Sequence, residues 1–414
     1  MKTIIIIEHN SPKEFLLKKA REKNYRIIMV ANKFNEMFLK YLPREDILIT
    51  DVFNLQTITE ETIFFCEKNN LKIDAVGTFS EDLVVATSDI ASLLGCKSIG
   101  QISSRVTSSN KLAMRVKLRE SKIRQPDFDI FNIFDDNEKI LRAFPKPCVI
   151  KPIFGTSSHG VLLIESDFFD YKKISETIRA TVNQEHRESF KRFHGNMLIE
   201  EYVPGKMISL DGFVVGGQIS VIGSIEFIMG KEPYFTQVAS YIPARLTEKE
   251  QEVINKYLKS IIETLGFINS PFHAEFRIKD GEPYLVEIAG RMAGALIHET
   301  YDRVYGIDML NLMYDCWLGN SIPLNYFSKG INYHELFYPQ IKHSGILKEI
   351  SGLDSLKNIK NLCNVKIISE IGMELKTYPD LPTPLFEYSI FSKDLNEINN
   401  VIDTVNKLIK YKII

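Results

Sequence analysis

Two apolar runs joined by Lys279-Asp280-Gly281-Glu282 limit the fold of this chain most tightly. Phe272-His273-Ala274-Glu275-Phe276-Arg277-Ile278 leads in, and Pro283-Tyr284-Leu285-Val286-Glu287-Ile288-Ala289 leads out. Asp-Gly between such runs marks a tight β-hairpin. Each strand carries one glutamate among apolar neighbours. Two carboxylates brought together repel, so one takes up a proton or a cation binds both. Oxygen ligands of this kind suit Mg²⁺, with Mn²⁺ as a substitute, because Mg²⁺ keeps waters and shares itself with nucleotide phosphates. An edge ribbon with solvated acids is the plainer alternative.

Register decides whether the glutamates meet. A two-residue loop at Asp280-Gly281 pairs Glu275 with Val286 and turns Glu287 to the other face. A three-residue loop at 280–282, or one bulge, places Glu275 opposite Glu287. A shared cation site therefore predicts an irregularity at this turn, and a regular two-residue hairpin counts against it. Arg291 follows Glu287 on the same alternation, where a cation can stabilise a transferring phosphoryl group.

Upstream, Val149-Ile150-Lys151-Pro152 delivers a lysine from a strand into Ile153-Phe154-Gly155-Thr156-Ser157-Ser158-His159-Gly160. Backbone N–H groups and hydroxyls of such a loop can meet polyphosphate oxygens, with Lys151 as a point charge. A polar hairpin loop with a surface lysine reads the same way. Leu198-Ile199-Glu200-Glu201-Tyr202-Val203-Pro204-Gly205 is a strand ending in two acids, able to offer a carboxylate and backbone groups to an adenine edge. Alone, it is also an ordinary strand end with a solvated acid. The stretch Arg105–Arg124 holds seven basic residues against Glu120. A solvated helix face is its usual explanation, with Lys111 the one member placed to reach a nucleotide. His298 and Glu299 could contact a substrate amine or simply begin a helix.

The first hundred residues alternate strand and helix patterns: strands at 3–8, 25–31, 46–52 and 73–78, helices at about 14–23, 60–69 and 81–94. The first helix is opened by a capping box at Ser11-Pro12-Lys13-Glu14. This alternation predicts a parallel sheet. No Gly-x-Gly-x-x-Gly follows the first strand, which disfavours NAD binding. Beyond residue 110 the chain becomes rich in strands with short turns, among them 212–219 and 221–227, and reads as α+β. The chain has 414 residues and a net charge of −2. That length accommodates two or three cored domains, and the charge excludes global recruitment to nucleic acid or an anionic membrane. No apolar run reaches the ~18 residues of a membrane span. The apolar start ends at Glu8-His9, so it reads as a strand rather than a leader. Five scattered cysteines point to free, mostly buried thiols in a reducing cytoplasm.

Taken in order, these segments resemble the ATP-grasp superfamily, most of all its L-amino acid ligase and carnosine synthase branch. The motifs are Asn110-Lys111-Leu112-Ala113-Met114-Arg115, Ile150-Lys151-Pro152, Gly155–Gly160, Glu200-Glu201-Tyr202-Val203, His273-Ala274-Glu275 and Glu287-Ile288-Ala289-Gly290-Arg291-Met292-Ala293-Gly294. The resemblance implies a fold of mixed α/β and α+β class. An amino-terminal parallel α/β domain would cover residues 1–110, and a linker helix with a small lid domain 111–203. A larger catalytic domain would cover 204–414, with an extension from about 325. It implies ATP contacts at Lys111, Lys151, Ser157, Ser158, His159, Gly160, Glu200, Glu201, Tyr202 and Val203. Glu200 would accept from the adenine amino group. Glu275 and Glu287 would hold Mg²⁺, Arg291 would act on the transferred phosphate, and His273, Arg291, Gly294 and His298 would face substrate. Two departures stand out. Ala289 replaces an asparagine common in relatives, and Met207 replaces a glutamate, which passes ribose contacts to Ser209 or Asp211.

The activity so implied is ATP-dependent ligation of a small carboxylate to an amine through an acyl phosphate, in the cytoplasm, without nucleic-acid or membrane partners. A homodimer is common for the fold. The alternatives are a carboxylase or phosphotransferase of the same fold, or a nucleotide-binding protein with degraded catalysis.

Overall fold

The computed structural model describes the chain apart from residues 10–12, 108–109, 136–137, 156–157, 185–193, 231–234, 236, 295–296, 324–332, 338–340 and 378–382, with backbone alone at 181–184 and 333–337. The expected capping box at Ser11-Pro12 lies outside the described residues. The helix it was to open runs Glu14–Glu22.

Strands β1 (Thr3–Glu8), β2 (Arg26–Ala31), β3 (Ile47–Ile49) and β4 (Ala75–Gly77) form a parallel sheet in the order β3-β2-β1-β4. Its central strand is apolar on both faces because helices cover both. Ile5 and Ile7 pack with Ile58 and Ile90, from the helices Leu55–Lys68 and Val84–Leu93. Ile4 and Ile6 pack the other way, with Leu16 and with Met313 from the helix Met309–Leu318. That last helix comes from late in the chain, so the amino-terminal sheet shares a core with the carboxy-terminal half.

Strands β5 (Phe128–Asn132), β6 (Cys148–Pro152), β7 (Leu162–Ile164) and β8 (Asn196–Glu201) form a small antiparallel sheet in the order β5-β8-β6-β7. It has its own core of Ile150, Ile178, Met197 and Ile199.

The third body is built on β9 (Lys206–Val215), β10 (Gln218–Met229), β11 (Gln237–Ile242), β12 (Asn269–Lys279) and β13 (Glu282–Ala289). Six later strands follow: β14 (Tyr333–Phe337), β15 (Gly345–Ser351), β16 (Leu362–Ile367), β17 (Glu374–Leu375), β18 (Phe386–Ser392) and β19 (Lys410–Ile413). Three of them extend the main sheet to eight strands, β13-β12-β9-β10-β11-β14-β18-β16, and the others form β17-β15-β19. The helix Glu248–Leu265 backs the β12–β13 hairpin. A Thr247–Glu250 capping box starts it, and Gly266 ends it in the left-handed region at φ 73°.

One expected strand was misplaced. The reading ran a single strand across 212–219, whereas β9 ends at Val215 and the chain reverses at Gly216-Gly217, with φ of 58° and 79°. Gly-Gly supplies the two positive φ values that a tight hairpin turn demands, and the flanking apolar residues masked that signal.

Gly77 shows how closely the first sheet docks. A methyl group there would stand 2.2 Å from a ring carbon of Trp317. Gly77→Ala is expected to lower stability by about 1–3 kcal/mol through overpacking, measured as a lower midpoint in urea at unchanged slope. An unchanged midpoint would show that this docking is loose.

Candidate active site

A cleft opens between the small sheet and the main sheet, lined by residues of both. Asn110 prepares one wall. Its side chain accepts from the Ala113 N–H (3.0 Å), which starts the helix Lys111–Glu120 and leaves Lys111 at the helix entrance. Lys111 Nζ donates to the Gly155 carbonyl (2.6 Å) and lies 3.2 Å from Glu287 Oε2. Arg115 follows one turn later on the same face. It is fully buried, not the solvated residue that the basic stretch led us to expect.

Arg115 Nε donates to Glu200 Oε1 (2.7 Å), and its Nη2 donates to Glu200 Oε2 (3.3 Å) and to the Val286 carbonyl (3.0 Å). Lys151 Nζ lies 2.6 Å from Glu200 Oε2. Burial alone would raise the Glu200 pKa, but Arg115 and Lys151 outweigh it and hold the carboxyl at about 2. The Lys151 pKa is also lowered: burial is the main cause, Arg115 and Lys111 add to it, and Glu200 offsets only part. Two cations therefore share one anion in a dry site, an arrangement that favours the arrival of further negative charge.

Glu200 itself lines the cleft, and its carboxylate is engaged there by Arg115 and Lys151. The adjoining Glu201-Tyr202-Val203 segment lines the cleft beside Met207, Met229 and Phe235. Ser209 is buried, and its hydroxyl donates to Asp211 Oδ2 (3.3 Å). In the glycine-rich loop, Ser158 and His159 line the cleft, and Ser158 and Gly160 have φ of 57° and 73°. Ser157 lies outside the described residues.

The hairpin resolves the register question in an unexpected place. Its turn is a regular two-residue one, with Lys279 opposite Glu282 and φ of 53° and 80° at Asp280 and Gly281. The irregularity comes five residues later: Phe276 pairs with Leu285, Glu275 with Glu287, and Val286 is the extra residue. One bulge thus puts both glutamates on one face. Burial would raise the Glu287 pKa, but Lys111 and Lys151 hold it below the usual carboxylate range. Among the described residues no group of three or more His, Cys, Asp or Glu side chains forms a closed cage for a metal. Two adjacent carboxylates instead fit an ion that completes its shell with water and phosphate oxygens, as Mg²⁺ does.

Arg291 lies at the edge facing the amino-terminal sheet, its Nε 2.8 Å from Glu81 Oε2. Sequence reasoning gave Glu81 no role. The segment before it is pinned by Glu8 at the end of β1, which accepts from the Phe79 N–H and the Ser80 hydroxyl, each at 2.7 Å. Burial raises the Glu8 pKa against those bonds. Gly294 is exposed nearby. His298 is buried, stacked on Phe15 with ring centroids 4.5 Å apart, and burial lowers its pKa. His273 sits between two carboxylates, Asp211 and Glu275, not in the cleft wall. Arg115 is the residue that the sequence reading missed. Its signal was the four-residue spacing from Lys111.

The ATP-grasp domain family matches residues 144–299. The chain is 24% identical over 260 residues to alanine–anticapsin ligase of Bacillus subtilis, covering 58% of this chain and 53% of that protein. It is 23% identical over 337 residues to mouse carnosine synthase 1, covering 77% of this chain and 40% of that one. The chain thus spans about half the length, or less, of these curated relatives. A crystal structure of an L-amino acid ligase from Bacillus licheniformis superposes with a TM-score of 0.77 at 19% identity, over 100% of this chain and 99% of that one. Residues 144–299 thus match the ATP-grasp domain family, and the chain shares its fold over its full length with that L-amino acid ligase.

Proposed function

We propose that this protein is an ATP-dependent carboxylate–amine ligase that joins amino acids, or an amino acid and a related small acid, through an acyl phosphate. The observation that carries the reading is the convergence on one cleft of Lys111, Lys151 and the glutamate pair, with Arg291 close enough to Glu287 to help hold its pKa down. The curated relatives, a ligase for alanine and anticapsin and a carnosine synthase, support the same class.

In this reading the adenine lies against Tyr202, Val203, Met207 and Met229. Lys111 and Lys151 meet the polyphosphate, and Lys151 exchanges part of its contact with Glu200 for phosphate oxygens. Arg115 keeps Glu200 paired during that exchange, so no buried carboxylate is left alone. Glu275 and Glu287 would hold Mg²⁺, which when bound screens phosphate charge. The 155–160 loop excludes water from the reacting phosphate. A substrate carboxylate oxygen attacks the γ-phosphorus and ADP leaves. Arg291 stabilises charge on the acyl phosphate. The amine then attacks the carbonyl carbon, and phosphate departs. Positioning and electrostatics suffice for such transfer, so no protein nucleophile is required. Free thiols, with no disulfide among the described cysteines, suit a reducing compartment, and no helix among the described residues is long and apolar enough to cross a membrane.

Phosphate release from ATP is expected to require two amino acids together and to yield a product of dipeptide mass, read by a coupled phosphate assay and mass spectrometry over a matrix of pairs. Release that instead depends on bicarbonate would replace ligation by carboxylation. Glu287→Gln and Arg291→Ala are each expected to lower kcat at least about 100-fold with an unchanged circular dichroism spectrum. Near-normal turnover in either variant would remove that residue from the site.

A further inference from the structure

Behind the glutamate pair lies a buried polar row that the reaction scheme does not use. Asp211 on β9 is 1% exposed. Its Oδ2 accepts from the Tyr301 hydroxyl (2.7 Å) and the Ser209 hydroxyl (3.3 Å), and its Oδ1 lies 2.8 Å from His273 Nδ1. The other ring nitrogen, His273 Nε2, lies 3.2 Å from Glu275 Oε1. Strand register explains the alignment. Asp211 stands opposite His273, which stands opposite Ala289. Two residues along the strands, Ser209 stands opposite Glu275, which stands opposite Glu287. These residues share one face of the sheet.

We propose that Asp211 and His273 are positioning residues for Glu275, a role that rests on the reading of Glu275 and Glu287 as the cation ligands. A glutamate has three side-chain torsions, and facing a second carboxylate it turns away unless something holds it. His273 fixes Oε1, which leaves Oε2 to bind the cation. Asp211 fixes the ring by engaging Nδ1, and Tyr301, from the helix Ile297–Tyr305, fixes Asp211 in turn. The neighbouring glutamate has its own support, since Lys111 lies 3.2 Å from Glu287 Oε2. Neither Asp211 nor His273 lines the cleft, so both act through Glu275 and not by touching nucleotide. At Ala289, opposite His273, the side chain is too short to bind a cation, so the geometry of Glu275 carries more of the affinity. Outer partners of metal ligands contribute about 10–100-fold to affinity.

The test is calorimetric titration of the full chain with a non-hydrolysable ATP analogue, with and without Mn²⁺. The wild type is expected to bind the Mn²⁺ form more tightly than the free analogue. His273→Ala and Asp211→Asn are expected to lose about 10–100-fold of that metal-dependent gain, with affinity for the metal-free analogue within about twofold of wild type. His273→Gln, whose amide can still donate to Glu275, should recover part of it. Tyr301→Phe removes one bond from the far end of the row and should give a smaller loss in the same direction, even if the other variants fold poorly. An undiminished metal-dependent gain in folded Asp211→Asn or His273→Ala would overturn the proposal. A wild type without any such gain would overturn it together with the metal reading of Glu275 and Glu287. A wild type with the gain but no ligation of amino acids would reject the ligase function alone.

Discussion

Glu200 is buried between Arg115 and Lys151, and the three residues come from three separate stretches of backbone. Arg115 rides on the helix that leads into the small sheet, while Lys151 and Glu200 sit on adjacent strands of that sheet. The same guanidinium reaches the carbonyl of Val286 in the hairpin of the main sheet. One side chain therefore joins the helix Lys111–Glu120, the small sheet and the main sheet. Burying charge is costly unless it is paired and hydrogen-bonded. Removing one partner of such a buried cluster costs about 3–5 kcal/mol, because an uncompensated charge remains. The relative placement of the small sheet and the hairpin is thus tied to a single electrostatic arrangement, and the cleft is the space that arrangement leaves between them.

The bulge at Val286 serves both ends of this design. It brings Glu287 level with Glu275 on one face, and the extra residue is the one whose carbonyl receives Arg115. Without the bulge, Glu287 would point to the opposite face, toward the helix Glu248–Leu265, where a carboxylate would meet the apolar side chains of that core. A local irregularity that disturbs one ladder thereby sets the glutamate pair and anchors the guanidinium.

Much of the architecture was legible in the sequence because periodicity reports it directly. Four consecutive isoleucines at Ile4–Ile7 can only be satisfied with cover on both faces, and the structure provides it. The hairpin at Asp280-Gly281 followed from turn chemistry. The need for an irregularity followed from carboxylate spacing, but its position did not: nothing in Leu285-Val286-Glu287 marks Val286 as the extra residue, because bulge placement is decided by partners across space. Gly216-Gly217 carried a turn signal that a continuous apolar pattern obscured. The site was harder to read. Motifs gave the residues but not their partners: Glu200 lies between two cations, and Ser209 donates to Asp211. Glu81 and Arg115 were missed because a single charged residue at a loop or on a basic helix looks like solvated surface until the fold supplies its partner.

The central claim is that a substrate carboxylate becomes an acyl phosphate. The most direct measurement supplies the carboxylate substrate with ¹⁸O in its carboxyl group and examines the released phosphate by mass spectrometry. The account predicts one ¹⁸O atom in the phosphate for each product formed, because the oxygen that attacks the γ-phosphorus leaves with it. Phosphate carrying no label, while product accumulates, would contradict the acyl phosphate and with it the reading of this cleft.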